Sequence, residues 1–357
     1  MDFLRFLVRR LLAIPVTLLV ITAALYAVIM LAPPEERAML YLPPRTRSTM
    51  PALIAENHLQ QIIEENGLDE PYLQQYWRWL SRLLRGDWGY SPVANDDVLN
   101  ALLERTPVTA ELTLYAVLLL VPLGLIGGVI AGWRPHSRAD NSFRLAAFTA
   151  TSIPPFILGL FLISIFYVGL GWFPPGRTSF IELSLTTSTF RHYTGLLTID
   201  GLLNGRPDIT IDAFRHLFLP VFSLSLMHWA TLGRITRASL INEKDKDYVT
   251  AARAHGLPEW RVVWRHTFRN VLLPALTSTT LSIASLLTGV FIIETIFNMH
   301  GVSELITRGL RETPDAALAL GFAVYTVLLI MPLMLTLDII KALVDPRVRE
   351  SELSGNQ

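Results

Sequence analysis

Six stretches of the chain contain no Asp, Glu, Lys or Arg and are dominated by apolar residues: 11–31, 112–132, 145–173, 217–233, 271–293 and 316–337. Five of them are 21 residues or longer, enough for a helix rising about 1.5 Å per residue to cross about 30 Å of hydrocarbon. The fourth has 17 residues and carries His228, so it is the shortest candidate. A single such stretch fits the core of a soluble protein; six in one chain predict an all-α polytopic membrane protein. The first stretch follows Arg5, Arg9 and Arg10, like the charged start of a signal peptide. It is longer than an ordinary signal core, and the prolines of Ala32-Pro33-Pro34 make a poor cleavage site, so it is read as a retained anchor.

Between the first two spans, residues 71–84 carry Leu73, Tyr76, Trp77, Leu80, Leu83 and Leu84 at helical spacing, behind a proline suited to a first turn. This amphipathic helix fits either the membrane interface or packing against the protein's own spans. Residues 174–216 are rich in Thr, Gly and Pro, and no structure is assigned to them.

Composition narrows the picture. Hydrophobic residues make up 51% of the 357 and charged residues 17%, below the roughly 25% of soluble domains. A formal net charge of zero argues against a nucleic-acid partner. The absence of cysteine excludes disulfides, thiolate metal sites and a cysteine nucleophile. With six spans both termini share one side. Placing that side inside gives 17 of the 30 Lys and Arg in about 80 inside residues, against 13 in about 145 outside, the bias of the positive-inside rule. The expected topology is N-in and C-in, with a long outside loop after the first span.

The segment between spans four and five is the most informative. Residues 250–255 are small and helix-tolerant, Gly256 stands where a left-handed cap is wanted, and Pro258 suits the start of a second helix. In that helix Trp260, Trp264 and Phe268 recur every four residues beside Arg261, Arg265 and Arg269. Two explanations fit: an interfacial helix meeting anionic headgroups, or a helix docking into a partner protein.

The stretch Tyr248-Val249-Thr250-Ala251-Ala252-Arg253-Ala254-His255-Gly256, continuing to Arg269-Asn270-Val271-Leu272-Leu273-Pro274, resembles the "EAA" coupling loop of ABC-importer permeases in the dipeptide, oligopeptide and nickel family. Further similar strings are Gly86-Asp87-Trp88-Gly89-Tyr90-Ser91, Thr106-Pro107-Val108-Thr109-Ala110-Glu111-Leu112, Ser152-Ile153-Pro154-Pro155-Phe156, Gly171-Trp172-Phe173-Pro174, His216-Leu217-Phe218-Leu219-Pro220 and Asp345-Pro346-Arg347. Their order resembles that of the family's B-type subunit. Thr250 stands where the general motif has Glu, His255 where Lys is frequent, and Asn298-Met299-His300-Gly301 replaces a Trp-Pro-Gly-like turn.

The resemblance implies a type I ABC-importer permease fold. Residues 1–105 would form the anchor and periplasmic loop, 106–340 the permease domain, and 341–357 a cytoplasmic tail. Its implied partners are a second, C-type permease, two ATP-binding subunits, a periplasmic or lipid-anchored solute-binding protein and membrane lipid. Tyr248, Thr250, Ala251, Ala252, Arg253, Gly256, Arg261 and Pro274 would form the coupling loop. Ala251, Ala252 and Gly256 would approach the ATPase closely, and Arg253 and Arg261 would pair with acidic groups on it. ATP and Mg would sit on that partner. This chain is not expected to be an enzyme or to bind a cofactor or metal, because its lysines follow Glu243, Asp245 and Ile340 and none belongs to a P-loop.

In span five Ser278, Ser282, Ser285 and Gly289 share a small, mildly polar face that fits close helix packing or a pathway lining. The scarcity of charge within the spans argues against an ion-coupled carrier. His-Glu-x-x-His is absent, whereas a serine-histidine dyad using His228 is not excluded by composition. Peptides are the expected cargo, with nickel chelates or antimicrobial peptides as alternatives.

Overall fold

The computed structural model describes residues 2–39, 52–180, 190–311 and 315–344. Asp345-Pro346-Arg347, most of the expected tail and part of the 174–216 loop lie outside the described residues. Most of the described residues are helical, as an apolar solvent demands: every backbone N–H and C=O must be satisfied within its own segment. Among the described residues, five helices are long and apolar enough to cross a membrane, and a bent pair supplies a sixth candidate.

The first of two compact units comprises Met1–Thr106 and Glu304–Leu333. Helix α1 (Asp2–Ile29) turns Leu12, Val16, Val20 and Val28 outward, as a lipid-bordered span should. Helices α2 (Pro34–Met39) and α3 (Ala52–Asn66) meet over Ala38, Ile62 and Leu68. Helix α4 (Tyr72–Leu84) divides its expected stripe between two surroundings. The Tyr76 ring lies 5.9 Å from that of Tyr26 on α1, its hydroxyl is 2.9 Å from that of Thr22, and Leu80 is buried. Leu73, Trp77 and Leu84 face outward. A two-stranded hairpin, β1 (Tyr90–Ser91) with β2 (Asp96–Asp97), precedes α5 (Val98–Trp133). The Ser91 hydroxyl donates to Asp315 over 2.6 Å, and Asp315 accepts the Leu318 N–H at 2.8 Å. That carboxylate thereby caps α13 (Ala316–Val344).

The second unit comprises Pro107–Ser303 and Met334–Gln357. Its centre is α9 (Pro207–Glu243). Leu217, Leu219, Leu224 and Leu232 of α9 pack with Leu112, Ala116 and Leu120 of α5 and with Ala275, Leu286 and Ile293 of α11 (Glu259–Ile296). The elements between them are α6 (Arg138–Ser152), α7 (Pro155–Gly169), α8 (Leu197–Leu203) and α10 (Asp247–Ala254); α12 (Val302–Arg311) follows α11.

Span three is corrected. A continuous helix over 145–173 does not form; α6 and α7 meet at 97°. Pro154 and Pro155 lack N–H donors, and the residue before a proline is driven out of the helical region. Ile153 accordingly adopts an extended φ of −110° and ψ of 118°.

Helices α5 and α9 touch along a ridge absent from the sequence-based reading: Gly124, Gly128 and Gly132, one per turn. A Cβ on Gly128 would stand 2.6 Å from the Gly233 carbonyl oxygen and the same distance from Thr236 Cβ. On Gly132 it would lie 2.8 Å from the Arg237 carbonyl, and on Gly124 2.9 Å from Leu232. Lipid tails are as apolar as leucine, so such small-residue contacts carry helix association in a membrane. Gly128→Ala is expected to cost about 1–3 kcal/mol by overpacking. Gly127→Ala, whose Cβ would meet Phe143 at an ordinary 3.4 Å, should melt like the parent protein. Thermal unfolding of the two purified variants checks the contrast.

Candidate functional site

The segment joining α9 to α11 folds into a hairpin whose tip is Gly256. Helix α10 ends in paired capping bonds: the Gly256 N–H donates to the Arg253 carbonyl at 2.8 Å and the Leu257 N–H to the Ala252 carbonyl at 3.3 Å. This termination needs a left-handed residue, and Gly256 supplies it with φ +74°. Val249, Ala252 and Val262 form a small core beneath the turn, with Tyr248, Leu257 and Trp133 against it. Ala252 is thus turned inward, 7% exposed, and does not share the outer surface expected for it. It lies three residues after Val249, on the same helical face, and that face is the one the hairpin closes on. Thr250, Ala251 and Gly256 are exposed, and a Cβ on Gly256 would meet no atom within 4 Å.

The second helix is not separate. It begins after Pro258 and runs into span five through a π-helical turn, Val262–Thr267, in which the Thr267 hydroxyl returns to the Val262 carbonyl at 3.0 Å. A π turn widens the repeat to five residues, so the four-residue stripes do not stay in one line. Trp260 is 62% exposed, whereas Phe268 packs beside Val129, Leu240, Val263 and Val271. Arg261 lies 5.3 Å over the Trp260 ring. Arg253 is engaged within the chain, 3.1 Å from Glu259 and 5.2 Å over the Trp133 ring; being solvent-exposed, that ion pair contributes little. Pro274 sits half-buried inside α11.

Two polar clusters anchor the hairpin's surroundings. The Tyr248 hydroxyl donates to Glu243 at 2.7 Å and accepts from the Asn270 amide at 3.0 Å, linking the end of α9, α10 and α11. Lys246 adds a second contact to Glu243 at 2.7 Å. Burial, reinforced by the Glu243 carboxylate, pushes the Tyr248 phenol up to about 12. Asp140, fully buried near the start of α6, takes two guanidinium bonds from Arg237 on α9 and the His136 N–H at 2.9 Å. Sequence reasoning missed this buried pair because its members are 97 residues apart; the Ser137 cap three residues before Asp140 was the only local hint.

The span-five serines part company. Ser278 and Ser282 are buried within this chain, and Gly289 faces Leu224 of α9. Ser285 alone of the four residues is exposed. His228 is buried in α9. A serine does approach a histidine elsewhere: Ser179 Oγ lies 3.4 Å from His216 Nε2. His216 is only 2% exposed, its Nδ1 is 2.9 Å from the Asp212 carbonyl, and Asp212 itself binds Thr178 and the Ser179 N–H. The group ties a loop to α9, with Ser179 itself exposed.

Five long apolar helices and a bent pair, with an exposed capped hairpin between two of them, define a polytopic membrane protein. Residues 124–350 match the family described as binding-protein-dependent transport system inner membrane component, and residues 3–113 match the N-terminal region of such membrane components. The chain belongs to this family, whose members are the membrane permease subunits of ABC transporters. It is 32% identical over 341 residues to the oligopeptide transport system permease protein AppB of Bacillus subtilis, covering 95% of this chain and 97% of that one. It is 34% identical over 284 residues to the di/tripeptide transport system permease protein DppB of Pseudomonas aeruginosa, covering 79% and 82%. With the oligopeptide permease OppB of Salmonella typhimurium it shares 29% over 348 residues, covering 97% and 99%.

Tyr248→Phe removes two hydrogen bonds and leaves Glu243 one partner short, for a cost of about 1–2 kcal/mol. The hairpin of that variant should be cut several-fold faster by trypsin. The parent's Tyr248 contribution is complete below the unfolded phenol value of 10.0 and fades as pH rises through about 12, so the difference between the two proteins should not vary between pH 6 and 9.

Proposed function

We propose that this chain is half of the translocation pathway of a peptide importer, driven by ATP hydrolysis on separate subunits that hold the nucleotide and Mg. In this reading it spans the membrane six times with both termini inside, α6 and α7 together making one span, and the segment from 32 to 111 lies outside. A C-type permease completes the pathway, two ATP-binding subunits sit below it, and a solute-binding protein delivers cargo. Peptides are the cargo favoured by the relatives' names.

The observation that carries this reading is the Gly256 turn. It is capped on the chain's own side and bare on the other, with Ala251, Gly256 and the neighbouring Trp260 uncovered. Small residues permit a partner's backbone to come close, and an aromatic anchor at such a contact is typically worth about 2 kcal/mol or more. Thr250, Ala251 and Gly256 are assigned to the docking surface, with Tyr248 tying its base. Ala252 and Arg253 shape the hairpin from within, Arg261 flanks it, and Pro274 lies beyond it in α11. The groove formed by Trp133, Arg134, Arg138, Trp260 and Trp264 suits anionic headgroups beside the same hairpin.

Because the chain has no cysteine, Ala251→Cys introduces a unique thiol. In membranes of the intact transporter it should cross-link to an ATP-binding subunit from the inner side. Capture of no such subunit, or labelling from outside, overturns the docking and the orientation. Gly256→Asp should remain in the membrane at normal levels while peptide uptake falls at least about tenfold, since a strained, charged tip both weakens the cap and blocks close approach. Uptake that survives this change, or that collapses with an ion gradient and not with ATP, contradicts the proposal.

A further inference from the structure

The first unit encloses a cavity of about 210 Å³ at the C-terminal end of α1. Its walls include Tyr26, Trp79 and Trp88, with Arg37, Arg82 and Asp87 among them. Arg37 is 6% exposed. Three neutral acceptors hold its guanidinium: the Gln75 amide oxygen at 2.8 Å, the Leu68 carbonyl at 2.6 Å and the Met30 sulfur at 2.8 Å. Gln75 is itself buried and fixed by bonds to the carbonyls of Leu68 at 2.9 Å and Glu70 at 2.5 Å. Among the described residues no carboxylate lies in ion-pair range of Arg37, and its Nε–H is buried without a hydrogen-bond partner. Leaving a buried charge uncompensated is among the costliest arrangements a fold can keep. Asp87 does not neutralise it; that side chain is exposed and accepts the Gly89 N–H at 3.1 Å. Half-buried Arg82 adds a second positive charge to the same lining.

A cation held in place by neutral groups, in the lining of a cavity with aromatic walls, is complementary to an anion carrying an apolar body. Planar guanidinium donors match carboxylate and phosphate oxygens, and aromatic faces suit the attached apolar part. A space below the usual 300–1,000 Å³ of drug-sized pockets admits a headgroup or a single residue, not a long molecule. We propose that this cavity binds a small oxyanion on an apolar body, a carboxylate or a phosphate ester, with Arg37 and Arg82 as its charge partners.

The test is thermal melting of the purified full chain in neutral detergent with two matched pairs of probes. N-acetyltryptophan is compared with its neutral amide, and phosphatidylglycerol with phosphatidylcholine in mixed micelles. At least one anionic probe should raise the melting midpoint while its neutral twin does not. A response to the carboxylate alone identifies a free solute as the source, and a response to phosphatidylglycerol alone identifies lipid. Arg82→Gln should weaken the effective probe by about tenfold, the loss of one charge-assisted contact. Arg37→Met, which removes the buried charge with little change of volume, should fold and lose the response. Equal responses to charged and neutral probes overturn the proposal, as does unchanged affinity in Arg82→Gln.

Discussion

The structure depends on how closely α5 can lie against α9. In hydrocarbon no hydrophobic force drives helices together, so contact distance sets association. The Gly124, Gly128 and Gly132 ridge brings one backbone within reach of the other's carbonyls. Near the same end of the pair, Arg237 of α9 reaches the buried Asp140 of α6. Removing Arg237 would leave Asp140 buried without its guanidinium partner, at a cost of about 3–5 kcal/mol, whereas Arg237 itself is only half-buried. The ridge and the ion pair together make α9 the fixed reference for its unit.

The hairpin is built onto that reference. Its first helix is tied to α9 through Glu243 and Tyr248, and its second continues without interruption into α11. Gly256 is therefore joined to α9 through a hydrogen-bonded joint and to the rest of α11 through continuous backbone. The π turn at Val262–Thr267 is the irregular point on the direct route. Such turns mark places where a helix absorbs a change of register. Exposed small residues at the tip, a packed apolar core beneath it and polar ties at its base give a surface that is accessible yet firmly held.

The first unit follows a different logic. Aromatic contacts between Tyr26 and the rings of Tyr72, Tyr76 and Trp79, 5.4–6.1 Å apart, hold an otherwise outward-facing α1. Rings with polar tips suit a boundary where one end is apolar and the other wet. The stripe on α4 divides accordingly: the tyrosines meet the chain, while Leu73, Trp77 and Leu84 are left for other surroundings.

The local properties of the chain were legible in advance. The position of each apolar stretch, the helix start after Pro71 and the cap at Gly256 depend on residues a few positions apart, and the sequence carries that information directly. The Pro154-Pro155 break was equally local, yet the reading passed over it because apolar character continues across the bend. The coupling-loop strings identified the family for the same reason, since they are contiguous. What tertiary structure alone decided was which face of each helix meets which neighbour. It turned Ala252 inward, buried Ser278 and Ser282 while exposing Ser285, set Gly128 against Gly233, paired Asp140 with Arg237 and left Arg37 without a counter-charge among the described residues. Each of these is a contact between segments distant in the chain. Periodicity specifies that a helix has faces; the neighbour a face receives depends on the packing of the rest of the chain.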